Sequence, residues 1–539
     1  MRIGLLLVIL SCATAALYGQ FLWNPIVFDD LPFFMTDESG NQPVSSFHFS
    51  LFELRSLPYA TLTWGNTLFE SGVLHFRIEN LLLHAAVTVS LFFFLTKLFD
   101  AIYGARAGSL LSSCALAFYA ALLFALHPVA VYAVGYLVQR TILTATLFSL
   151  LAMLAWLHGS VRQKSLWLWA SVPLYYLAVF SKEHAIMLPA VLVALTLLLH
   201  ADWRAKLKQR WAVFLALAVI ALFVIAAKKG ILGSVYEIYA PEMLDAGSDP
   251  NDPLSVSTQA YPLSVLTQAW LFFKYAGLWL FPNPGWMSAD MREPFAPALL
   301  SPYLLALLAF LAWGIGALWM LLKRGRIGLL GFALLFPWLM FMTEFSTVRI
   351  QESFVLYRSY LWAVGACCLL PVLLDLLKDK RAASIIVATI ALALFPISME
   401  RLSTFGHPLL LWDDAEKLVK NRTDLPGVYR IYYNRGTELL KVDEYDAAIK
   451  DLTLATRLHP EWPFSYNNLG LAYMKKNDWR AAADAFTQAI EIAKRKKMGM
   501  NPRPYFGRAL AYEVLGETEK ARLDYQITCE FARKGCEKL

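Results

Sequence analysis

Apolar stretches of about 20 residues recur through the first 400 positions of this 539-residue chain, in which 58% of all residues are hydrophobic. A helix of that length crosses the hydrocarbon core of a bilayer, and a soluble chain would show fewer uninterrupted apolar runs. The sequence therefore predicts an all-α polytopic membrane domain. We place its spans near residues 3–22, 78–98, 109–127, 140–158, 166–181, 184–200, 211–227, 299–322, 327–344, 357–377 and 382–399.

Basic residues between these stretches set the expected orientation, because Lys and Arg concentrate in cytoplasmic loops. All the basic groups fall on one side if the N-terminus is cytoplasmic and a further apolar stretch, 262–282, is re-entrant or lies at the interface. This arrangement gives eleven crossings and an extracytoplasmic C-terminal tail. The groups are Arg2; Lys97 and Arg106; Arg162 and Lys164; Arg204, Lys206, Lys208 and Arg210; Lys323, Arg324 and Arg326; and Lys378, Lys380 and Arg381.

Residues 1–20 allow a second reading as a signal peptide, since Thr14-Ala15-Ala16 supplies small residues after an apolar core. Cleavage there would separate Asp29 and Asp30 from the membrane anchor. A retained first span is the interpretation we carry forward.

The tail changes character after about residue 408 and repeats with a period of 34. Asn434 and Gly436 align with Asn468 and Gly470, and a third copy follows an insertion around 494–502. Small residues where two helices cross predict a tetratricopeptide-repeat solenoid of about three repeats. We expect a membrane domain over 1–400, a connecting helix within 401–424 and the repeats over 425–539. Such repeats bind a partner or serve as a structural cap.

Cysteine usage agrees with this division. Cys529 and Cys536 lie in the polar tail and are expected to pair if that tail is in an oxidising compartment. The other four cysteines lie in apolar runs and are interpreted as core residues.

Unusual polar residues collect in the loops expected to face outward. Asp29 and Asp30 follow the first span, and paired acids at a membrane boundary are costly unless they have a function. Four cations come from separate loops on the same side, and together they would suit a lipid phosphate. Each one alone can also be explained by snorkelling. They are Arg140, Lys182, Lys274 and Arg358.

Two histidines at span boundaries, His127 and His184, are candidate metal ligands, although hydrogen-bonded interface histidines are the alternative. Glu183, Tyr275 and Tyr360 lie beside the cations in the sequence, and together with His127 they are candidate supporting residues. The long loop over about 228–262 adds the acids Glu237, Glu242, Asp245, Asp249 and Asp252.

Several short motifs occur in an order that resembles a known family. They are Val27-Phe28-Asp29-Asp30, Asn80-Leu81-Leu82-Leu83-His84, Leu123-Phe124-Ala125-Leu126-His127-Pro128, Ser181-Lys182-Glu183, Lys274-Tyr275 and Tyr357-Arg358-Ser359-Tyr360. Together with the repeats, they resemble the transmembrane and tetratricopeptide-repeat O-mannosyltransferases and their bacterial relatives. These are membrane glycosyltransferases of the GT-C fold. The family often has Glu-His-Arg where this chain has Leu356-Tyr357-Arg358.

The resemblance implies a donor sugar on a polyprenyl phosphate whose head faces the outer side of the membrane. The acceptor hydroxyl would enter from the same side. Asp29 or Asp30 would act as general base. Arg358, helped by Lys274, Lys182 and Arg140, would stabilise the departing phosphate. Some members use a divalent cation such as Mg²⁺ or Mn²⁺ and others do not, so the resemblance leaves a metal cofactor open.

Two other function classes remain open from the sequence: a transporter or flippase for a lipid-linked saccharide, and a non-catalytic membrane scaffold. The expected partners are the polyprenyl-phosphate sugar, membrane lipid and a protein acceptor held by the repeats, with no nucleic acid. The tail Glu537-Lys538-Leu539 has no retention signal, which favours a bacterial inner membrane.

Overall fold

The computed structural model describes residues 3–35, 43–69, 72–104, 111–228, 233–234, 256–377 and 379–538. These residues divide into two compact units. The first comprises Met1–Ala289 and Phe295–His407, and the second comprises Asp290–Pro294 and Pro408–Leu539. Every regular element in the described ranges is helical, so the all-α prediction is confirmed. The five acids predicted in the loop over 228–262 lie outside the described residues.

Helices of the first unit alternate with short 3₁₀ turns. They are α1 (Ile3–Tyr18), α2 (Leu31–Phe34), α3 (Ser56–Leu68), α4 (Val73–Tyr103), α5 (Ser113–Ala125), α6 (Val131–Val134), α7 (Arg140–Arg162), α8 (Ser165–Ser181), α9 (Leu188–Leu199), α10 (Trp203–Gln209), α11 (Trp211–Ala227), α12 (Val256–Leu280), α13 (Pro302–Lys323), α14 (Gly325–Phe341), α15 (Ser359–Ala366), α16 (Leu370–Leu374) and α17 (Lys380–Ser403).

Seven helical segments of the described chain are long and apolar enough to cross a membrane. They become nine if two bent pairs, Ser113–Ala125 with Pro128–Val134 and Trp203–Gln209 with Trp211–Ala227, each count as one span. The predicted count of eleven is not confirmed. The two shorter apolar helices, Ser165–Ser181 and Glu183–Leu199, have 17 residues or fewer. The stretch predicted to be re-entrant or interfacial is one continuous helix, α12.

Small residues allow close helix packing in the first unit. Gly331 on α14 lies so close to α13 that a Cβ atom there would overlap the backbone of Ala317 and Leu321. Interfaces of this kind are typical of helices that associate within lipid, where packing replaces the hydrophobic effect. Polar ties add to it: the indole of Trp156 on α7 donates to the hydroxyl of Thr196 on α9 at 3.1 Å.

The second unit is built from helical hairpins. Its helices are α18 (Pro408–Val419), α19 (Val428–Lys441), α20 (Tyr445–Leu458), α21 (Pro463–Lys475), α22 (Trp479–Arg495), α23 (Pro502–Val514) and α24 (Thr518–Ala532). The predicted boundary at residue 400 lies inside α17, which continues to Ser403. The predicted connecting segment, 401–424, contains α18, which belongs to the second unit.

Each hairpin of the second unit closes over small residues. Gly436 on α19 faces the side chain of Leu452 on α20, and Gly470 on α21 faces Phe486 on α22. The polar tail ends in a disulfide between Cys529 and Cys536, as the sequence predicted for an oxidising compartment. The 34-residue period thus corresponds to a repeated pair of antiparallel helices.

Candidate functional site

Asp30 anchors the loop that follows α1. Its side chain is fully buried in the 3₁₀ turn Phe28–Asp30. One carboxylate oxygen accepts the N–H of Leu137 and the other accepts the N–H of Val138, both at 2.8 Å. Burial raises the pKa of Asp30 to about 6, although these N–H groups lower it in part. Because both oxygens of the Asp30 carboxylate accept backbone N–H groups, the side chain fixes the backbone at Leu137 and Val138. It is poorly placed to accept a proton from a substrate.

Two residues of α4 hold the other side of this junction. The guanidinium of Arg77 donates to the carbonyls of Asn24, at 2.8 Å, and of Gly135, at 3.1 Å. The amide of Asn80 donates to the carbonyl of Tyr136 at 3.1 Å. These bonds satisfy carbonyls that no helix would otherwise satisfy. The loop carrying the paired acids is therefore fixed against the segment before α7.

Asp29 is the member of the acid pair that stays half-buried. The residue before it, Phe28, has a φ of 52°, a left-handed conformation that is unusual for a bulky side chain and costs roughly 1–3 kcal/mol. Asp29 lies within electrostatic range of the Tyr357 hydroxyl. Asp29 thus lies near the segment that contains Arg358, whereas Asp30 is held by the backbone of Leu137 and Val138.

A buried carboxylate organises the cationic side of the site. Glu344 is fully buried at the end of the α14 segment and accepts from Arg358 at 3.0 Å and from the Nε2 atom of His184 at 3.0 Å. The guanidinium of Arg349 lies 3.8 Å from the same carboxylate. Removing one partner of a buried ionic group is costly, so the group behaves as one unit. Glu344 fixes the direction in which Arg358 points.

Lys182 lies beside this group and is only 5% exposed. Its ammonium donates to the side-chain oxygens of Gln139, at 3.2 Å, and Thr141, at 3.3 Å, and lies 5.2 Å from the centre of the Tyr357 ring. Within the described part of the chain no carboxylate lies within 4 Å of this ammonium. Burial, and next the guanidinium of Arg55, hold the pKa of Lys182 well below its usual range. An anion would find an under-compensated positive charge here.

Arg140 and Glu183 each form an ion pair with another residue, and Glu183 also lies within electrostatic range of Lys182. Arg140 is buried and pairs with Glu79 at 2.7 Å, within electrostatic range of Asp30. Glu183 forms a bidentate ion pair with Arg55, with N–O distances of 2.6 and 3.0 Å. Of the four predicted phosphate ligands, Lys182 and Arg358 therefore come together, whereas Arg140 supports the acid loop. Glu183 compensates Arg55.

An apolar cleft of about 210 Å³ reaches the same segment from another side. One wall is α12, where the Tyr275 hydroxyl exchanges hydrogen bonds with the backbone of Val355 and the Trp279 indole donates to Ser359. Residues between Trp362 and Leu373, on α15, the 3₁₀ turn after it and α16, also line the cleft. Tyr275 also lies within electrostatic range of Glu344 and Arg358. Tyr275 thus connects the cleft with the cationic group, and the apolar lining of the cleft suits a hydrocarbon chain.

Lys274 precedes Tyr275 on α12 and is half-buried. Consecutive residues of a helix point about 100° apart, so the position of Tyr275 does not define that of the Lys274 ammonium. Its role as a phosphate ligand stays a prediction.

Both candidate metal ligands are engaged otherwise. The Nε2 atom of His127 faces the carbonyl of Trp279 at 3.1 Å, and its Nδ1 atom accepts the N–H of Val129. His184 is bonded to Glu344. No group of three His, Cys, Asp or Glu side chains among the described residues is arranged to hold a metal ion. Neither histidine is arranged as a ligand for the Mg²⁺ or Mn²⁺ that the resemblance left open.

Tyr360 points away from the cations. Its hydroxyl lies 2.6 Å from the Nδ1 atom of His84, whose Nε2 atom faces the carbonyl of Ala125 at 3.1 Å. A carbonyl can only accept, so Nε2 carries the proton and Nδ1 accepts from the tyrosine. Tyr360 and His84 therefore join α15, α4 and the end of α5, and the predicted supporting role of Tyr360 is structural.

Sequence reasoning missed Glu344, the carboxylate at the centre of the site. A signal was present: Glu344 is the acid at the end of the apolar stretch predicted over 327–344. An ionisable residue at the end of such a stretch indicates a functional position by default.

In the second unit, residues 429–461 and 463–496 each match the model of the tetratricopeptide repeat. The C-terminal region contains tetratricopeptide repeats. No curated protein matches the chain. The matched repeats coincide with the hairpins α19–α20 and α21–α22, and α23–α24 continues the pattern with the same helix order.

The first and third hairpins of the tetratricopeptide repeats carry an ion pair at equivalent positions. Arg435 and Asp451 bond through two contacts of 2.6 and 2.9 Å, and Arg508 and Asp524 do so at 2.7 and 2.9 Å. The corresponding positions of the middle repeat are apolar, Leu469 and Ala485, and belong to one core cluster. These pairs join the two helices of a hairpin and have a structural role.

Tetratricopeptide arrays commonly bind protein partners.

Proposed function

We propose that the chain is a membrane glycosyltransferase that moves a sugar from a polyprenyl phosphate to a hydroxyl of an extracytoplasmic, protein acceptor. One observation carries this proposal: the apolar cleft is lined by Tyr275, which lies within electrostatic range of Arg358. Lys182 lies within electrostatic range of Arg358, and Asp29 lies within range of the neighbouring Tyr357. Transfer from a polyprenyl phosphate requires three features in one place. They are an apolar surface for the polyprenyl chain, cations for the phosphate and a base for the acceptor hydroxyl.

In the proposed reaction the polyprenyl chain lies in the cleft and its phosphate contacts Lys182 and Arg358. Asp29 takes the proton from the acceptor hydroxyl. The hydroxyl oxygen then bonds to the anomeric carbon as the bond from that carbon to the phosphate oxygen breaks. The electron pair leaves with the polyprenyl phosphate, whose growing negative charge is stabilised by the two cations. A single displacement of this kind inverts the anomeric carbon.

The surrounding residues position these groups. Glu344 orients Arg358, and Gln139 with Thr141 orients Lys182. Asp30, Arg77 and Asn80 hold the loop from which Asp29 projects. Preorganised charge is effective because no solvent has to reorient during the reaction.

The tetratricopeptide repeats bind the acceptor protein in this proposal and raise its local concentration at the enzyme. The disulfide between Cys529 and Cys536 supports an extracytoplasmic location for them, because disulfides persist in oxidising compartments. That location agrees with the orientation expected from the basic loops.

The experiment uses purified full-length protein in sealed proteoliposomes that contain a polyprenyl-phosphate sugar labelled on the sugar. A transferase releases free polyprenyl phosphate and attaches the label to an added hydroxyl acceptor. A transporter moves the intact donor across the bilayer without cleaving it. A scaffold leaves the donor unchanged and in place, so either of the last two outcomes refutes the proposal.

A further inference from the structure

A second polar site lies on the first unit, where α7, α8, α10 and α11 come together, and it is independent of the proposed reaction. We call it the basic face. Its members are Lys97, Arg162, Lys164, Arg204, Lys206, Lys208 and Arg210. Lys97, Arg162 and Lys164 lie within electrostatic range of His158, and Lys206 and Arg210 lie within range of His200. The acid that accompanies them is Asp202.

A sharp bend brings the two parts of the basic face together. The short helix α10 makes an angle of 69° with α11, so its lysines extend sideways across the helix ends. The ammonium of Lys206 donates to the side chain of Gln163 at 3.0 Å, which joins α10 to the turn between α7 and α8. Arg210 is buried beneath, donates to Ser160 at 3.0 Å and lies over the Trp156 ring.

The outer cations of the basic face are not neutralised by the protein. Arg162, Lys164 and Lys208 are exposed, and across the described ranges none of them has a carboxylate within 4 Å. Together they form a concentrated positive charge, which attracts an anion with a strength that falls as salt is added.

Apolar surface continues directly from these charges. On α11 the residues Leu215, Val219 and Leu222 share one helix face and are each more than half exposed. Trp167 and Trp169 lie near the start of α8, Trp211 begins α11, and all three rings are exposed. Tryptophan favours the zone between lipid headgroups and acyl chains. A free phosphate ion would make no use of this apolar surface.

We propose that the basic face binds the headgroup of an anionic phospholipid, with Lys164, Lys206 and Lys208 contacting its phosphodiester and its acyl chains lying along α11. Clusters of basic residues next to membrane helices recognise anionic lipids in this manner. The site is separate from the cleft, so it holds a resident lipid and takes no part in sugar transfer.

The test titrates purified full-length protein in neutral detergent with phosphatidylglycerol, phosphatidylcholine or glycerol phosphate and counts bound molecules by native mass spectrometry. We expect phosphatidylglycerol to be retained at least about tenfold better than phosphatidylcholine, because each lysine near an anionic group contributes about fivefold in affinity. Glycerol phosphate should not be retained. Equal retention of the two lipids would overturn the proposal, and equal retention of glycerol phosphate would overturn the lipid assignment.

Variants locate the site. The triple variant Lys164→Gln, Lys206→Gln, Lys208→Gln should lose the preference for phosphatidylglycerol, and the corresponding triple Lys→Arg variant should keep it. The matched control removes three charges from the other basic loops with Lys323→Gln, Lys380→Gln and Arg381→Gln, and it should retain the lipid. An equal loss in the control, or no loss in the first variant, would contradict the assignment.

Discussion

The two units of the chain use buried charge in different ways. In the tetratricopeptide repeats, two buried aspartates, Asp451 and Asp524, each form a bidentate ion pair with an arginine 16 residues earlier, in the first and third hairpins. In the first unit, Arg358, Arg349 and His184 share one carboxylate, Glu344, and Lys182 is hydrogen-bonded to neutral oxygens.

We interpret the charges of the repeats as structural and those of the first unit as a candidate binding site. A fully paired arrangement at equivalent positions of two hairpins is explained by stability alone. An irregular arrangement with an under-compensated lysine costs free energy to bury, and such a cost is typical of a functional site. The predictions below test this division, from the largest effect to the smallest.

The largest effect is expected for Asp29→Asn. We predict that sugar transfer falls by about 10²–10⁴-fold, because the variant cannot take the hydroxyl proton. The measurement is the rate of label transfer from the polyprenyl-phosphate sugar to a small hydroxyl acceptor. Asp100→Asn, which changes an exposed acid at the end of α4, is the matched control and should be unaffected. Near-normal transfer by Asp29→Asn would remove Asp29 as the base.

Lys182→Met should lower transfer by about 100-fold, because a cation that contacts the phosphate is lost while most of the side-chain volume remains. The comparison is Arg508→Met in the third hairpin, which leaves Asp524 buried without its partner. That variant should lower the free energy of unfolding of the repeats by about 3 kcal/mol and leave transfer to a small acceptor unchanged. If both variants lowered sugar transfer equally, the proposed division between structural charges in the repeats and binding charges in the first unit would be wrong.

Deletion of residues 425–539 should reduce transfer to a protein acceptor by about tenfold or more, because the local concentration of the acceptor is lost. Transfer to a small hydroxyl acceptor should stay close to normal. Rates for both acceptors are measured on the same preparation. An equal loss with both acceptors would indicate that the repeats act as a structural cap.

The smallest effect concerns pH and Asp30. We expect wild-type transfer to fall a few-fold between about pH 8 and pH 5, because protonated Asp30 can no longer accept from both Leu137 and Val138 and the loop carrying Asp29 loosens. Asp30→Asn should be weakly active across this range and lack the step near pH 6. A step retained in Asp30→Asn would assign the titration to another group.

The stability contribution of Asp30 has the opposite sign. Because folding raises its pKa from 3.8 to about 6, the folded protein binds this proton more tightly than the unfolded chain. The ionised carboxylate therefore costs stability above about pH 6, up to about 3 kcal/mol, and that cost disappears as the pH falls below about 4. The difference in unfolding free energy between wild type and Asp30→Asn should change in favour of wild type as the pH is lowered.

Local patterns predicted the architecture well. Apolar runs predicted the long helices, and the 34-residue period predicted the hairpins, because both depend on neighbours in sequence. The count of spans was less predictable. The predicted spans 166–181 and 184–200 are helices of 17 residues, and two further predicted spans belong to bent helix pairs.

The site was predictable only in part, because its roles depend on contacts distant in sequence. Asp29 and Asp30 are adjacent and chemically identical, yet Asp30 accepts from N–H groups more than 100 residues away. Arg140 and Arg358 are both arginines at helix ends, and only their partners, Glu79 and Glu344, distinguish the positioning residue from the candidate phosphate ligand. No single-residue pattern carries that information.

The central claim is that the cleft, Lys182 and Arg358 form one site for a polyprenyl phosphate. The most direct measurement is photo-crosslinking of the purified protein with a polyprenyl phosphate that carries a photoreactive group in its chain, followed by peptide mapping. The account predicts labelled peptides from α12 and from the wall between Trp362 and Leu373, with labelling strongly reduced in Lys182→Met and unchanged in Arg508→Met. Labelling confined to other helices, or labelling that Lys182→Met does not reduce, would contradict it.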